Sequence, residues 1–168
     1  MKTTSEFKVL LVYPNLTMML VPSLGIAQFT GILRRAGYDV DLFDSTHYVS
    51  DLTSSPDNRV KFLQYRPFDA EKDLDFRLKT DLVEDFVRKV NEYKPDLMVV
   101  SVVEDTFLQA ISLLEAVEEA KIPSIMGGVF VTASPETALS FPQVQMVGIG
   151  EGEDTILEVA ERVRRGES

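Results

Sequence analysis

The chain is 168 residues long, 45% hydrophobic and 26% charged, the make-up of an ordinary folded domain, which excludes disordered, collagen-like and fibrous classes. It contains no cysteine, so it offers no disulfide scaffold, thiol nucleophile, cysteine zinc site or ligands for an iron–sulfur cluster. With 17 basic against 27 acidic residues the net charge is −10, and a nucleic-acid-binding surface, which needs clustered Lys and Arg, is not expected. No apolar run approaches the ~18 residues of a membrane span. The opening residues, Met1 to Glu6, hold no apolar leader, so the expectation is a cytoplasmic protein without membrane attachment.

In chain order, Phe7 to Tyr13 is an apolar, strand-like run that stops at Pro14-Asn15. Ser23 is placed to cap a helix whose apolar residues Leu24, Ala27, Phe29, Ile32, Leu33 and Ala36 recur at helical spacing, and Gly37 stands where that helix should stop. Asp39 to Phe43 reads as a second strand. A polar insertion, about residues 45–80, follows, with a loop signal at 54–58 and a charged stretch at 69–85 that reads as a solvated helix face. Leu82, Val83, Phe86, Val87 and Val90 mark a helix ending near Tyr93, broken by Pro95-Asp96. Leu97 to Val103 is a third strand, and Phe107, Ala110, Ile111, Leu114 and Val117 the next helix. Pro123 to Met126 and Gln145 to Ile149 complete the strands; Ile156, Leu157, Ala160 and Val163 define the last helix. Alternating strands and helices predict one α/β domain over residues 1–168, a Rossmann-like (flavodoxin-like) doubly wound sheet of five parallel strands in the order 2-1-3-4-5.

Such sheets bind ligands beyond the carboxyl ends of their strands, where strand order reverses. The loop from Tyr13 to Gly25 sets Leu16, Met18, Met19, Leu20 and Val21 outside any regular element, either as a surface for an apolar ligand or as a cover folded back on the sheet's end. Gly127-Gly128 after the fourth strand suits either a close backbone approach to a ligand or a plain tight turn. Gly150-Glu151-Gly152-Glu153 is a second glycine-containing strand-to-helix turn, whose glutamates favour a helix N-terminus over anion binding. Ser101 can present a hydroxyl to the cleft, while Asp105 or Thr106 reads as a helix cap. There is no phosphate loop and no Gly-x-Gly-x-x-Gly, which argues against nucleotide hydrolysis and nicotinamide binding. A response-regulator reading fails because Tyr-Pro-Asn, not an acidic pair, follows the first strand. His47, the only histidine, lacks partners at metal-site spacing and reads as an ordinary loop residue.

The pieces Val9 to Asn15, Pro22 to Ile26, Leu33 to Val40, Lys94 to Leu97, Ser101 to Thr106, Gly127 to Phe130 with Pro135-Glu136, and Val147 to Glu153 together resemble the amino-terminal cobalamin-binding domain of cobalamin-dependent radical S-adenosylmethionine enzymes. The resemblance implies a module that holds vitamin B12 with its dimethylbenzimidazole tail inserted at the sheet's carboxyl end. The residues it points to for cofactor binding are Tyr13, Asn15, Met18, Leu24 and Gly25 on the first loop; Ser101, Val102, Val103 and Glu104 after the third strand; Gly127, Gly128, Val129 and Phe130 after the fourth; and Gly150, Glu151 and Gly152 after the fifth. Ser101-Val102-Val103 departs from the family's Ser-x-Leu element. Related domains carry Asp-x-His-x-x-Gly after the first strand, whose His ligates cobalt; here Asn15 to Leu20 holds no His, so the resemblance implies base-off cobalamin without a protein histidine on the metal. A cobalt so held is easily reduced to a nucleophile that accepts a methyl group from S-adenosylmethionine for transfer to a substrate radical. The iron–sulfur cluster and S-adenosylmethionine would belong to a fused or associated radical domain, whose Cys-x-x-x-Cys-x-x-Cys is absent from this chain. The chain is thus expected to be an excised or standalone binding domain of a radical methyltransferase, unable by itself to run the radical reaction. The alternative is a degenerate domain that binds no cobalamin and serves as scaffold or substrate-recognition module. A flavin-binding domain is disfavoured, because the first loop lacks a Ser/Thr/Gly-rich phosphate cradle.

Overall fold

The computed structural model describes residues 2–17, 19, 23–49, 72 and 77–167. The expected loop at 54–58, most of the charged stretch at 69–85, and Met18, Leu20 and Val21 of the first loop lie outside the described residues.

Strands β1 (Lys8–Tyr13), β2 (Asp39–Asp44), β3 (Leu97–Ser101), β4 (Ser124–Gly127) and β5 (Met146–Val147) form a parallel sheet in the order β2-β1-β3-β4-β5 among the described residues. Helices α1 (Leu24–Arg35) and α6 (Glu153–Arg165) cover one face. On the other lie α2 (Leu82–Tyr93), α3 (Glu104–Ala116), and the short α4 (Val129–Ala133) and α5 (Pro135–Leu139). Both faces are covered, which explains why the central strands read as unbroken apolar runs. Alternation along each strand then divides the core. Val9, Leu11, Leu97, Val99 and Ile125 pack under α1 and α6, whereas Leu10, Val12, Met98, Val100 and Met126 pack under the opposite layer.

The ends of α1 follow from local chemistry. Ser23 accepts the Ile26 N–H on its hydroxyl at 3.3 Å. At the other end Gly37, at φ +90°, lets its N–H reach the Arg34 carbonyl and the Tyr38 N–H reach the Leu33 carbonyl, at 3.0 and 3.1 Å. Those paired bonds, with Leu33 and Tyr38 buried in the same cluster, are the standard glycine stop of a helix.

Several boundaries differ from expectation. The third strand ends at Ser101, not Val103, and α3 begins at Glu104, ahead of the expected cap at Asp105 or Thr106. Val103 has no side-chain oxygen to cap with. Thr106, one turn in, accepts the Val103 N–H on its hydroxyl at 3.2 Å instead. The fifth strand is shorter than Gln145 to Ile149 because its neighbour leaves: β4 ends at Gly127, and the Gly148 N–H bonded to the Met126 carbonyl at 2.9 Å closes the ladder. Helices α4 and α5, between β4 and β5, were not expected from the sequence; Pro135 at the first position of α5 is their clearest local signal. No helix among the described residues is long and apolar enough to cross a membrane.

Glu161 ties α6 to the rest of the fold. Its carboxylate accepts from the Arg164 Nε at 2.8 Å, the Arg165 Nε at 2.7 Å and the Tyr38 hydroxyl at 3.1 Å. These donors, Arg164 foremost, hold its pKa down to about 2 from an ordinary 4.5. A carboxylate depressed in the fold adds stability that is present above its unfolded pKa and lost as pH falls through the folded value. Urea midpoints measured from pH 5 to pH 2 should therefore decline in wild type, and Glu161→Gln should show a shallower decline over that window.

Candidate functional site

The carboxyl ends of β1 and β3 diverge where β1 sends its chain toward α1 and β3 toward α3, and the strand order reverses there. The loop after β1 is pinned rather than loose. The Asn15 N–H donates to the Ser45 hydroxyl at 2.7 Å, and the Asn15 side-chain amide donates to the Met19 carbonyl at 2.9 Å and the Thr46 hydroxyl at 2.8 Å. Its Oδ1 accepts the Leu16 N–H at 2.9 Å. Asn15, Ser45 and Thr46 are buried, so these bonds satisfy polar groups that have lost water. Tyr13, half-buried at the end of β1, keeps its proton: burial, then the Asp44 carboxylate, raise its pKa.

Beside this loop, between α1 and α6, opens a slot of about 160 Å³. The pleat explains its position. Ser101 and Gly127 are register partners on adjacent strands, and each lies two residues beyond a side chain of the α1/α6 layer, Val99 and Ile125. Past those two, the sheet's edge carries only a hydroxymethyl and a hydrogen. α1 contributes Gly25 and Phe29; α6 with its preceding turn contributes Gly152, Thr155 and Ile156. Gly128, Gly148 and Gly150 complete the wall, so six of the chain's nine glycines line one slot.

Three of these glycines show what the space is for. A Cβ on Gly152 would stand 2.8 Å from the Phe29 ring, and one on Gly128 2.2 Å from the Val102 carbonyl oxygen. Gly127 differs: its Cβ would meet only the Gly148 carbonyl oxygen, at 3.7 Å, and otherwise enter the slot. Several backbone polar groups of the wall are occupied within the protein. The Gly127 carbonyl takes the Val102 N–H at 3.0 Å, the Gly128 carbonyl the Thr132 N–H at 3.0 Å, and the Gly152 carbonyl the Ile156 N–H at 2.9 Å. The Gly150 N–H donates to the Thr132 hydroxyl at 3.1 Å. Among the described residues, the hydroxyls of half-buried Ser101 and exposed Thr155 are the slot's only polar side-chain groups. Around the sheet's carboxyl edge, Leu24, Val103, Val129 and Ile149 are 73%, 49%, 75% and 60% exposed. These four aliphatic side chains are presented to solvent, each following the carboxyl end of a different strand.

The structure therefore gathers Gly25, Ser101, Gly127, Gly128, Gly150 and Gly152 into one slot and sets Leu24, Val103 and Val129 on the same edge. Glu104 and Glu151 are exposed nearby in the chain. Val102 and Phe130 belong to the opposite layer, Phe130 lying 4.7 Å, centroid to centroid, from Phe107 of α3. Asn15 spends its side chain on the first loop, and Met18 is outside the described residues. Sequence reasoning missed Phe29, Val99, Val100, Ile125, Gly148, Thr155 and Ile156 as slot residues. Phe29 and Ile156 belong to apolar helix stripes and read as core. Gly148 had a usable signal: it opens a run of alternate glycines, at 148, 150 and 152, in the turn from β5 to α6. His47 lies elsewhere, in a groove with Lys79, Arg88 and Lys89 beside α2.

Fold and slot together define a doubly wound domain with a narrow slot at the carboxyl end of its sheet. Residues 18–160 match the family described as the B12 binding domain, and the chain belongs to that family. No curated protein sequence matches it significantly. Among solved structures it is similar to the radical S-adenosylmethionine methyltransferase TsrM from Kitasatospora setae, in two structures. One holds tryptophan substrate and a S-adenosylmethionine analogue, the other cobalamin and a 4Fe–4S cluster. Both superpose with a TM-score of 0.70 at 17% identity over 96% of this chain, which spans only 26% and 25% of the TsrM chains. A de novo designed Rossmann 2x3 protein superposes with a TM-score of 0.50 at 10% identity, over 96% of this chain and 92% of its own.

Proposed function

We propose that this domain binds cobalamin with its nucleotide tail in the glycine-walled slot and the corrin over the aliphatic edge, as the cobalamin-carrying part of a radical S-adenosylmethionine methyltransferase. The slot carries this reading. An apolar cavity of ~150 Å³ takes one benzene-sized ring, and at about 160 Å³ this slot suits one ring of a benzimidazole and no whole cofactor. Pockets that enclose an entire ligand run to ~300–1,000 Å³, so the remainder of the occupant would lie outside, against Leu24, Val103, Val129 and Ile149. The family membership and the TsrM superposition support the same reading.

Bound there, cobalt supplies reversible methyl carriage between S-adenosylmethionine and a substrate. The chain's own part is to hold and to exclude. Phe29, Ile125 and Ile156 sequester the tail ring from water, and the bare backbone at Gly127 and Gly152 leaves it room. The Asn15–Ser45–Thr46 bonds fix the first loop, which would face the corrin. A tail held in the slot could not also ligate the metal, and the first loop has no histidine, so cobalamin bound here would be base-off. Reduction of the metal and generation of the substrate radical fall to a partner radical domain, in keeping with a chain that spans a quarter of TsrM.

Gel filtration of the domain after incubation with hydroxocobalamin tests this. Retained cobalamin near one equivalent is the expected result; elution free of cobalamin would favour a degenerate, scaffold-like domain. His47→Ala should retain the same amount with an unchanged visible spectrum, and an altered spectrum would place His47 on the metal.

A further inference from the structure

We infer that Ser45 and Thr46, the pair that follows β2, are positioning residues that set where the first loop stands and so govern how tightly the corrin is held, independently of the tail. This rests on the cobalamin reading above and extends it to residues that touch no ligand. Of the six buried polar residues among those described, four gather here: Asn15, Ser45, Thr46 and Gln109. They come from three separate parts of the fold, the first loop, the end of β2 and the second turn of α3. None of the four lines the slot.

Polar groups buried together persist where they satisfy one another, and a satisfied cluster fixes one geometry. Ser45 grips the loop's backbone. Its hydroxyl oxygen accepts the Asn15 N–H at 2.7 Å, and its one proton has two acceptors, the Asn15 carbonyl at 3.0 Å and the Gln109 Oε1 of α3 at 3.3 Å. Thr46 grips the side chain: its hydroxyl accepts from the Asn15 amide at 2.8 Å and donates to the Asp44 carboxylate at 2.6 Å. The same carboxylate takes the Thr46 N–H at 2.8 Å. Two residues on, the Tyr48 carbonyl accepts the Thr17 hydroxyl of the loop at 2.8 Å, while the Tyr48 hydroxyl donates to Asp85 of α2 at 2.7 Å. The loop is thus held from outside itself, by a short segment that is bonded in turn to α2 and α3. A loop so held keeps one position, and the corrin rather than the tail is what it would meet. Ser45→Ala leaves the buried Asn15 N–H without its acceptor. Thr46→Val keeps the β-branched shape and does the same to one proton of the Asn15 amide.

The test is equilibrium binding of the full 168-residue chain to cobalamin and to cobinamide, the corrinoid without a nucleotide tail. Ser45→Ala and Thr46→Val should each weaken both corrinoids by the same factor, about tenfold, and should change the visible circular dichroism of the bound corrin. Gly127→Val, which acts in the slot, should weaken cobalamin alone. A purely structural role for the pair would lower the urea midpoint but leave the affinity and corrin spectrum of the folded variants as in wild type, and that result would overturn the inference. So would a loss confined to cobalamin, or a wild type that binds cobalamin but not cobinamide, since the loop would then add nothing to the hold on the corrin. Should Ser45→Ala fail to fold, the isosteric Thr46→Val alone decides. A wild-type protein that binds neither corrinoid would remove the cobalamin reading and this inference with it.

Discussion

Gly128→Ala is expected to destabilise the domain severely, before any question of ligand arises. Gly128 leads from β4 into α4 at φ +112°, a backbone conformation that residues with a Cβ rarely adopt. A Cβ there would lie 2.2 Å from the Val102 carbonyl oxygen and 3.0 Å from the Val102 nitrogen. The obstruction is backbone, and that backbone is anchored: the Val102 N–H bonds to the Gly127 carbonyl, and the Val102 side chain is buried in the layer under α3. Neither strand end can move aside without breaking the other. Strain of this kind costs ~1–3 kcal/mol before the clash is counted, so a loss of about 3 kcal/mol or more is expected, against a total stability of ~5–15 kcal/mol for a domain. A urea midpoint falling at constant slope would measure it. A loss under ~1 kcal/mol would mean that β3 and β4 part more easily here than their packing implies.

Gly127→Val should do the reverse, emptying the site while sparing the fold. Its backbone is ordinary extended strand, its Cβ would meet only the Gly148 carbonyl oxygen at 3.7 Å, and a β-branched residue suits a strand. The added methyl groups would occupy the slot itself. Shutting out one aromatic ring forfeits burial worth ~2–3 kcal/mol, or about a hundredfold in affinity, while urea stability should stay within ~1 kcal/mol of wild type. Cobalamin retained undiminished by a folded Gly127→Val protein would show that the tail does not enter between β4 and α6. The two neighbouring glycines thus separate what a Gly-Gly pair in a sequence merges: one is required by the backbone, the other by the cavity.

Where chemistry is local, the sequence was a sufficient guide. Ser23 and Gly37 bracket α1 because a hydroxyl caps the following N–H groups and a glycine can turn left-handed, whatever lies nearby. The strand order was legible because apolar runs alternating with amphipathic helices leave few right-handed ways to build a sheet. α4 and α5 were not, since five-residue helices are too short to display a period. The start of α3 was misplaced because Asp105 and Thr106 are both good caps, and only the fold shows Thr106 capping from inside the first turn. The slot was half legible. Its glycines stand at strand ends and attract notice singly, but their meeting depends on the Ser101–Gly127 register and on α1 crossing α6 so that Phe29 lies against Gly152. A stripe of apolar residues looks the same whether its last members cover the sheet or overhang its edge. Phe29 is half-buried beside the slot and Ile156 is a core residue at its wall, and only packing reveals that both face it.

The most direct test of the account is the electron paramagnetic resonance spectrum of the domain loaded with cobalamin and reduced to the cobalt(II) state. With the tail base held in the slot and no histidine at the metal, the spectrum should lack the superhyperfine splitting that an axial nitrogen produces. A triplet-split signal in the wild-type protein would put a nitrogen on cobalt, either the tail base itself or His47, and the slot between α1 and α6 would then have to be explained by something other than the tail.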